Sequence, residues 1–530
     1  MNSIQPVLIA GEWRQANHPV GTFQALNPST GQVLDETYPI SGKEDIYAAI
    51  ESAYQAADTL ASTSPESIAT FLEQFADLIE ANRVALVDSA HCETGLPKEP
   101  RLNSVELPRT TKQLRLGAKA ARESSWTHPI IDTASNIRSF RAPLSAPVVV
   151  FGPNNFPFAF NAVAGGDFTA ALVARNPVIA KANPGHPGTT RLLAELATQA
   201  LQSTGLPVDT LQLLYHFPNE LALELVSHPH IGATGFTGSR PAGLALKAAA
   251  DRVGKPIYLE LSSVNPIFIL PGALEERLDA LVAEFVTSCL MGAGQFCTNP
   301  GLIILPEGPQ AEAFVRAVSG QFKEKTPGVL LNERVQTGLG ESMKALTAHG
   351  AELLTGGTPV NEAGFRFANT LLRVSGEQFL RESEALQTEA FGPSSLLVLA
   401  KDEDQILEIA HRLEGSLTGA IYSHTGNVDN AFYTRLEHVL RQHVGRLLND
   451  KMPTGVEVSP AMQHGGPFPS TGHAGFTSVG LPAAIERFTI LQSYDNVRPH
   501  RLPRELQDAN PDRIWRVVDG KWTRDDVTGA

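Results

Sequence analysis

The sequence predicts an α/β fold in which helices cover both faces of a parallel sheet, because short buried runs alternate with helical stretches. Apolar runs with the length of buried strands lie at residues 148–151, 178–181, 211–215, 231–236 and 258–261. Stretches with helical periodicity lie near residues 188–203, 219–227 and 240–253. Sheets of this kind bind ligands at the carboxyl ends of their strands, so the residues that end these runs are the first candidates for a site.

Further segments complete the predicted organisation. A second strand–helix alternation over about residues 265–450 predicts a second α/β domain. Residues 41–44 (SGKE), followed by apolar residues at helical spacing, predict a helix that starts with a capping box. Residues 126–144 are rich in Pro, Ser and Thr and predict an arm or linker. The charged tail from Pro499 to Ala530 is expected to pack on the surface.

The composition excludes several classes of protein. The chain of 530 residues has room for roughly two to four domains, and 42 basic against 56 acidic residues give a net charge of −14, which disfavours nucleic acid as a partner. The three cysteines form no CxxC pair and no disulfide framework, which indicates a reducing, cytoplasmic location. Residues 142–166 carry no charge, but their prolines and asparagines favour a buried core over a membrane span.

Three residues carry candidate catalytic chemistry, and each has a plainer alternative. Cys297 follows two glycines in a tight loop, which suits a reactive thiolate, whereas Cys92 and Cys289 fit buried structural thiols. Glu260 ends an apolar run, so it has either a partner or the raised pKa of a general base, and a buried ion pair is the alternative. Asn155 is a candidate oxyanion donor or a turn residue.

Two other features suggest a phosphate site. Residues 235–243 (GFTGSRPAG) join a predicted strand to a helix, and free backbone amides at such a turn bind anions. Lys181 ends another predicted strand, where it can contact a phosphate or a ribose. An ordinary strand–turn–helix joint and a solvated lysine are the alternatives. No GxSxG, HExxH or Cys/His quartet is present, so no serine hydrolase and no bound metal is expected.

Six ordered motifs resemble those of the aldehyde dehydrogenase superfamily over roughly residues 7–495. They are residues 152–157 (GPNNFP), Lys181, residues 236–239 (FTGS), Glu260, residues 294–297 (GQFC) and residues 389–393 (EAFGP). The resemblance implies Cys297 as nucleophile, Glu260 as general base and Asn155 as the catalytic amide. It implies cofactor contacts at Pro153, Asn154, Lys181, Asn183, Pro184, Gly238, Ser239, Leu261, Glu389 and Phe391.

Departures from the family pattern narrow the resemblance. The usual ELGGK is ELSSV at residues 260–264, and Pro184 stands where NAD-preferring members often carry a carboxylate. Because a carboxylate would repel a 2′-phosphate, its absence favours NADP while still allowing NAD. With residues 109–115 and 514–521, these departures look like the 2-oxoglutarate semialdehyde (2,5-dioxopentanoate) dehydrogenase branch.

An acidic aldehyde of this kind needs polar contacts for its distal carboxylate. Arg109 and Gln113 lie four residues apart, on one predicted helical face, and Ser478 belongs to a late loop that lines the substrate tunnel in the family. Arg115 is a weaker candidate. A solvated helix face is the alternative for both arginines.

The resemblance also implies a domain division and an assembly. A Rossmann-type dinucleotide-binding domain would comprise residues 1–125 and 146–259, and a catalytic domain residues 260–450. Residues 126–145 and 481–500 would form an oligomerisation arm of a homodimer or homotetramer, followed by a C-terminal tail, residues 501–530. No membrane or nucleic-acid partner is expected.

The function implied is NAD(P)-dependent oxidation of 2-oxoglutarate semialdehyde to 2-oxoglutarate through a cysteine thioester, a step in sugar-acid or hydroxyproline catabolism. A long-chain or broad-specificity aliphatic aldehyde dehydrogenase is the alternative within the family. Outside it, a thiol hydrolase using Cys297 and Glu260 and a non-catalytic dinucleotide-binding protein remain open. The hydrolase lacks an evident histidine partner in the sequence.

Overall fold

The strands predicted between residues 148 and 261 are present in the computed structural model, which describes residues 4–527. All five strands and the three helices between them lie within two residues of their predicted bounds, so these predictions are confirmed. Residues 1–3 and 528–530, the ends of the predicted cofactor domain and tail, lie outside the described part.

The strands fall into an N-terminal set, a central set and a C-terminal set. The first strands are β1 Val7–Ile9, β2 Glu12–Arg14, β3 Gly21–Asn27, β4 Gln32–Ile40, β5 Ile130–Asp132 and β6 Ile137–Pro143. They are followed by β7 Val148–Phe151, β8 Val178–Lys181, β9 Leu211–Leu214, β10 Ala233–Thr237, β11 Ile257–Glu260, β12 Pro266–Ile269 and β13 Leu302–Pro306. The last are β14 Glu352–Thr355, β15 Thr370–Ser375, β16 Ser394–Ala400, β17 Ser416–Tyr422, β18 Val444–Asn449, β19 Thr489–Asp495, β20 Arg516–Val518 and β21 Lys521–Thr523.

The helices are distributed along the chain up to residue 440. The first are α1 Lys43–Ala61, α2 Pro65–Ala81, α3 Arg83–Thr94, α4 Leu107–Glu123, α5 Gly166–Val173, α6 Pro187–Thr204, α7 Asn219–Ser227 and α8 Arg240–Asp251. They are followed by α9 Pro271–Leu290, α10 Pro309–Glu324, α11 Glu333–Ala348, α12 Gly376–Arg381, α13 Ser383–Leu386, α14 Glu403–His411 and α15 Asn430–Leu440. None of these helices is both long and apolar enough to span a bilayer.

The predicted capping box at residues 41–44 is wrong. The backbone N–H of Ser41 donates to the carbonyl of His216, so Ser41 continues the sheet edge and does not cap the helix. Gly42 takes the N-cap position of α1 and supplies no side-chain bond. The Ser41 hydroxyl is buried without a hydrogen-bond partner. A contact 175 residues away in sequence therefore decides where α1 begins.

The first sheet has the order β11-β10-β7-β8-β9-β1-β2, with β7 to β11 mutually parallel and the β1–β2 hairpin antiparallel at one edge. All residues of β7 and β9 are buried, as expected where helices cover both faces. The carboxyl ends of β7, β8, β10 and β11 therefore meet along one edge, where the candidate phosphate and catalytic motifs lie.

The second sheet has the order β14-β15-β16-β13-β12-β17-β18 and is parallel except for β14. Its two faces pack into separate apolar clusters, because alternate side chains of a strand point to opposite sides. Ile267 and Ile269 of β12 enter one cluster with α9 and α10, while Phe268 enters the other with α14 and α15. This sheet supports the loop that carries Cys297.

The segments predicted as an arm and a tail build a third sheet, in the order β19-β6-β5-β20-β21. β6 and β19 pair antiparallel over their whole length, and β20 runs parallel to β5. Arg516 on β20 is fully buried, and its guanidinium donates to the carbonyl oxygens of Gln507, Asp508 and Asp525. Strands β3 and β4 form a separate hairpin. The division into domains stays a prediction.

Candidate active site

A cleft opens at the carboxyl edge of the first sheet. Asn155 follows β7, Lys181 ends β8, Ser239 precedes α8 after β10, and Glu260 ends β11. The cleft has a volume of about 600 Å³ and also reaches Cys297. Of the predicted cofactor contacts, it is lined by Pro153, Asn154, Asn183, Pro184, Gly238, Ser239, Leu261, Glu389 and Phe391. The fold thus brings the motifs of both sheets to one cavity.

The loop before Cys297 is held in a backbone conformation that needs small residues. After α9 ends, Gly292, Ala293 and Gly294 all have positive φ. A Cβ atom on Gly294 would lie 2.0 Å from the carbonyl oxygen of Gly392, so only glycine fits there. This tight turn places Cys297 in a loop after a helix, as the sequence predicted, and the residue is half-buried.

The side chain of Asn265 also fixes the loop that carries Cys297. Its amide nitrogen donates to the carbonyl oxygens of Cys297 and Asn299, each at 2.9 Å. Its carbonyl oxygen accepts from the hydroxyls of Ser263 and Thr418. Hydrogen bonds therefore hold both the nitrogen and the oxygen of the Asn265 side chain. Among the described residues, the backbone N–H of Cys297 has no protein acceptor, which leaves it available as a donor to a ligand.

His464 contacts both Cys297 and Glu260, and no motif in the sequence marks it. The Sγ atom of Cys297 lies 3.4 Å from Nε2 of His464, and the same nitrogen lies 3.0 Å from Oε1 of Glu260. Ser478 donates its hydroxyl to Oε2 of Glu260 at 2.9 Å. His464, Glu260 and Ser478 are all buried. The carboxylate therefore has partners, which is one of the two predicted possibilities for Glu260.

The surroundings of this cluster shift the pKa values of Cys297 and Glu260 in opposite directions. Burial raises the pKa of the Cys297 thiol well above its usual value, and the neighbouring Glu260 carboxylate raises it further. Burial also works against ionisation of Glu260, but its bonds to His464 and Ser478 outweigh that effect and lower its pKa. The isolated thiol would be protonated at neutral pH, so a nearby proton acceptor decides its reactivity.

Asn155 is held by a buried ion pair. Its side-chain nitrogen donates to the carbonyl oxygen of Gln295 at 3.0 Å, which leaves its second N–H free beside the Cys297 loop. The backbone carbonyl oxygen of Asn155 accepts from Arg101, whose guanidinium also pairs with Glu106. Glu106 in turn accepts from the backbone N–H groups of residues 158 and 159. Hydrogen bonds thereby fix both the side-chain nitrogen and the backbone of Asn155.

Among the predicted cofactor residues, two have shifted pKa values. Burial lowers the pKa of Lys181 to about 8, and no described carboxylate pairs with its ammonium group. Burial raises the pKa of Glu389 to about 7, although Ser262 and Ser263 donate to it. Ser262 stands where the family pattern has glycine, so its hydroxyl bond to Glu389 is a feature of this chain.

Of the predicted substrate residues, Arg109 and Gln113 lie on α4, whereas Ser478 lies beside Glu260. Arg109 lies on α4 against the rings of Phe156 and Phe160, 5.6 Å and 5.0 Å from their centroids, and its Nε and Nη2 atoms are buried without a partner. Gln113 is buried on the same helix, with its side-chain oxygen unpaired. Ser478 is bonded to Glu260. Arg115 is exposed and pairs with Asp77, outside the site.

The other two thiols differ from each other. Cys289 is buried on α9, and burial raises its pKa to about 12, as expected of a structural thiol. Cys92 is exposed, so the expectation that it is buried is wrong. The physical reason is that Cys92 lies on the outer face of α3, whose inner face carries Leu86, Val87 and Ala90.

Comparison with known proteins decides the family. The pattern of the aldehyde dehydrogenase family matches residues 13–487, which is most of the chain. The chain belongs to this family. Of the residues that its motifs mark, Asn155, Gly238, Glu260, Cys297 and Glu389 line the cleft, whereas Lys181 is not among the lining residues.

Relatives and solved structures of aldehyde dehydrogenases agree with this assignment. The chain is 39% identical over 513 residues to alpha-ketoglutaric semialdehyde dehydrogenase 2 of Azospirillum brasilense, covering 94% of this chain and 96% of that one. It is 36% identical to the alpha-ketoglutaric semialdehyde dehydrogenase of Acinetobacter baylyi, covering 97% and 98%. A solved mutant of Thermus thermophilus 1-pyrroline-5-carboxylate dehydrogenase has a TM-score of 0.80 at 22% identity, covering 93% of each chain, and confirms the fold.

Proposed function

We propose that this aldehyde dehydrogenase oxidises 2-oxoglutarate semialdehyde to 2-oxoglutarate with a nicotinamide cofactor. The observation that carries the proposal is the meeting of Cys297, His464, Glu260 and Asn155 beside a cleft lined by the family's cofactor residues. Two relatives are named for this substrate under its synonym, alpha-ketoglutaric semialdehyde. They are 39% and 36% identical to this chain over nearly their full lengths.

The cleft fits a dinucleotide. Lys181 presents an ammonium group without a described carboxylate partner, which suits ribose hydroxyls or a phosphate. Ser239 makes no side-chain bond to the first turn of α8, so the amides of that turn are free to bind a pyrophosphate. The lining residues Asn183, Pro184 and Gly185 carry no charge, so nothing at this end repels a 2′-phosphate. NADP is therefore the favoured cofactor, with NAD as the alternative.

The first chemical step is attack of the Cys297 sulfur on the aldehyde carbon. In the tautomer that carries its proton on Nδ1, His464 accepts the thiol proton at Nε2, which lies 3.4 Å from the sulfur. The N–H formed at Nε2 then donates to Glu260, which stabilises the imidazolium. A C–S bond forms, and the carbonyl oxygen becomes an oxyanion. The free N–H of Asn155 and the backbone N–H of Cys297 stabilise that oxyanion.

Oxidation follows when the carbon of this adduct loses a hydride, two electrons with one proton. A bound nicotinamide supplies the acceptor for that hydride. The oxyanion re-forms the carbonyl group, and Cys297 is left in a thioester. Asn155 and the Cys297 backbone hold the carbonyl oxygen throughout, so the same donors serve both steps.

Hydrolysis of the thioester completes the cycle. Glu260 removes a proton from a water molecule, which attacks the carbonyl carbon. The C–S bond breaks, and the Cys297 thiolate recovers the proton held by His464. The product acid and the protonated Glu260 each release a proton to solvent, so the product leaves as a carboxylate and Glu260 is ionised for the next cycle. Because Glu260 has a lowered pKa, it is ionised and ready to accept this proton at neutral pH.

Arg109 is the proposed contact for the distal carboxylate of the substrate. Two of its guanidinium nitrogens are buried and unpaired, which is costly unless an anion binds. Burial lowers the pKa of Arg109, yet a guanidinium stays charged in proteins. Phe156, Phe160 and Phe296 pack with it into one aromatic cluster. The same apolar lining is the observation that favours the alternative, a broad-specificity aliphatic aldehyde dehydrogenase.

The thiol hydrolase and the non-catalytic dinucleotide-binding protein account for fewer of the observed site features. His464 provides the histidine partner for which a thiol hydrolase had no evident candidate in the sequence. A hydrolase, however, gives no role to Lys181, Glu389 or the amides of α8. A non-catalytic dinucleotide-binding protein gives none to the Cys297–His464–Glu260 arrangement.

We also propose that the chain forms a homodimer or homotetramer. β19 is the edge strand of the third sheet and leaves its outer edge unpaired among the described residues. Ile490 and Leu491 on this strand are 47% and 73% exposed. An exposed apolar edge strand is a template for pairing with another chain, so a second copy is the proposed occupant.

The substrate assignment is tested by following reduced nicotinamide with 2-oxoglutarate semialdehyde and pentanal, each with NADP and NAD. We expect a higher kcat/KM for the acidic aldehyde, and Arg109→Ala is expected to lower that value about ten- to hundredfold while leaving pentanal nearly unchanged. Arg115→Ala is the matched control, because its arginine pairs outside the site. Equal loss for both aldehydes in Arg109→Ala would contradict the carboxylate contact.

A further inference from the structure

We propose that Cys297, His464 and Glu260 form an inhibitory binding site for a thiophilic divalent cation such as Zn²⁺ or Cd²⁺. The sequence holds no metal-binding motif, because the three residues lie far apart in the chain. The fold brings one ligand atom from each to within 4.8 Å of the others. This inference goes beyond the proposed function, since metal binding requires neither the aldehyde nor the cofactor.

The ligand types and separations match a tetrahedral site. Thiolate, imidazole nitrogen and carboxylate oxygen are the three ligand classes that Zn²⁺ takes in proteins. With ordinary metal–ligand lengths, a tetrahedral ion places S and N about 3.6 Å apart and N and O about 3.3 Å apart. Two of the observed separations, 3.4 Å from Cys297 to His464 and 3.0 Å from His464 to Glu260, are within a few tenths of an ångström of these values. The third pair, the Cys297 sulfur and a Glu260 oxygen, lies within 4.8 Å, against about 3.6 Å in a tetrahedral site.

The ligands are held in place by neighbours of their own. Ser478 donates to the second oxygen of Glu260, which leaves Oε1 directed to the cluster. The loop that carries His464 is fixed to the same segment, because the His464 N–H donates to the Thr477 hydroxyl and the Ser478 N–H donates to the His464 carbonyl. Supporting bonds of this kind orient metal ligands and raise their affinity.

The fourth position of such an ion would face the cleft. Cys297 and Glu260 both line the cavity of about 600 Å³, so a water molecule or a substrate oxygen can complete the coordination. Binding displaces one proton from the Cys297 thiol to solvent and uses the deprotonated imidazole, so affinity increases with pH. The bound thiolate can neither attack an aldehyde nor react with an alkylating agent.

The test uses Cd²⁺ with the full-length protein carrying Cys92→Ser, which removes the exposed thiol and touches no residue of the site. Equilibrium dialysis is expected to give one Cd²⁺ per chain, with the ultraviolet charge-transfer band of a cadmium thiolate. His464→Asn in this background should weaken binding about tenfold or more, and Cys297→Ala should remove the band. Far-ultraviolet circular dichroism confirms that each variant is folded.

Two results would overturn the proposal. One is the absence of stoichiometric Cd²⁺ binding in the Cys92→Ser protein, and the other is unchanged affinity in His464→Asn. Cd²⁺ binding is measured without substrate, so its failure is distinguishable from failure of the dehydrogenase assay. A protein that oxidises no aldehyde but binds Cd²⁺ through His464 would refute the proposed function alone.

Discussion

At His464, one imidazole nitrogen contacts both the thiol of Cys297 and the carboxylate of Glu260. The thiol is otherwise in a poor environment for ionisation, because burial and a neighbouring negative charge both raise its pKa. The proposed role of His464 is therefore to accept the thiol proton when the sulfur attacks the aldehyde.

Replacing His464 with Asn tests this role. We expect kcat/KM at neutral pH to fall by about 10²-fold, the usual contribution of a general base, and the rising limb of its pH profile to move to higher pH. The rising limb moves to higher pH because the pKa of the Cys297 thiol is raised. Without the imidazole, the thiolate forms only as the pH approaches that pKa. The rate at which iodoacetamide alkylates Cys297 should shift in the same direction. An unchanged pH profile would assign His464 a packing role only.

The sequence predicted the site residues that lie in short local motifs and missed the one that does not. Cys297, Glu260 and Asn155 each follow a strand or a glycine turn, so local patterns mark them. His464 lies 167 residues from Cys297 and 204 from Glu260, in an irregular loop after β18. Nothing in its local sequence distinguishes it from the other histidines, because only the tertiary path of that loop brings it to the site.

At the scale of elements, the Asn155 loop depends on the π-helical turn Lys98–Glu106 that precedes α4. Arg101 in that turn donates to the carbonyl oxygen of Asn155 and pairs with Glu106, and both side chains are buried. Glu106 then accepts two backbone N–H groups of the loop. The turn and the loop are therefore one unit, and its loss should move the Asn155 amide.

Arg101→Met tests this unit. Removing one member of a buried ion pair leaves the other charge uncompensated, so we expect the free energy of unfolding to fall by about 3–5 kcal/mol. We also expect kcat to fall more than KM rises, because Asn155 acts on the oxyanion and not on the ground-state aldehyde. Arg115→Met removes an exposed pair from α4 and should cost at most about 1 kcal/mol. Equal effects of the two variants on stability and on kcat would contradict the account.

Strands and helices were predictable from the sequence where buried apolar residues follow a short, regular pattern. The strands β7 to β11 are confirmed because continuous apolar runs mark strands that are buried on both faces. The start of α1 was wrong because a distant carbonyl, that of His216, holds Ser41. The strand pairing of the arm and tail was not predicted, since residues 126–144 and 516–523 have no strong alternation.

At the scale of the whole molecule, the third sheet has two different edges. The tail strands β20 and β21 cover the β5 edge, while β19 leaves its apolar residues exposed at the other. A second copy of the chain is the proposed partner of the β19 edge. The tail therefore extends the sheet to a second edge strand, β21, and the β19 edge is the one proposed for assembly.

Leu491→Lys places a charge on that exposed edge. We expect it to shift the sedimentation coefficient towards that of the monomer, because charged edge strands resist pairing with other strands. Val33→Lys is the matched control, since Val33 is 57% exposed on the separate hairpin β3–β4. A wild-type chain that is already monomeric, or an assembly unaffected by Leu491→Lys, would refute the proposed interface.

The central claim is that Cys297 carries a thioester that Glu260 hydrolyses. The most direct measurement is rapid-mixing absorbance of reduced nicotinamide in Glu260→Gln, with cofactor and 2-oxoglutarate semialdehyde in excess. We predict a burst of about one reduced nicotinamide per active site followed by little steady turnover, and no burst in Cys297→Ala. Steady turnover equal to that of the wild type in Glu260→Gln would contradict the claim.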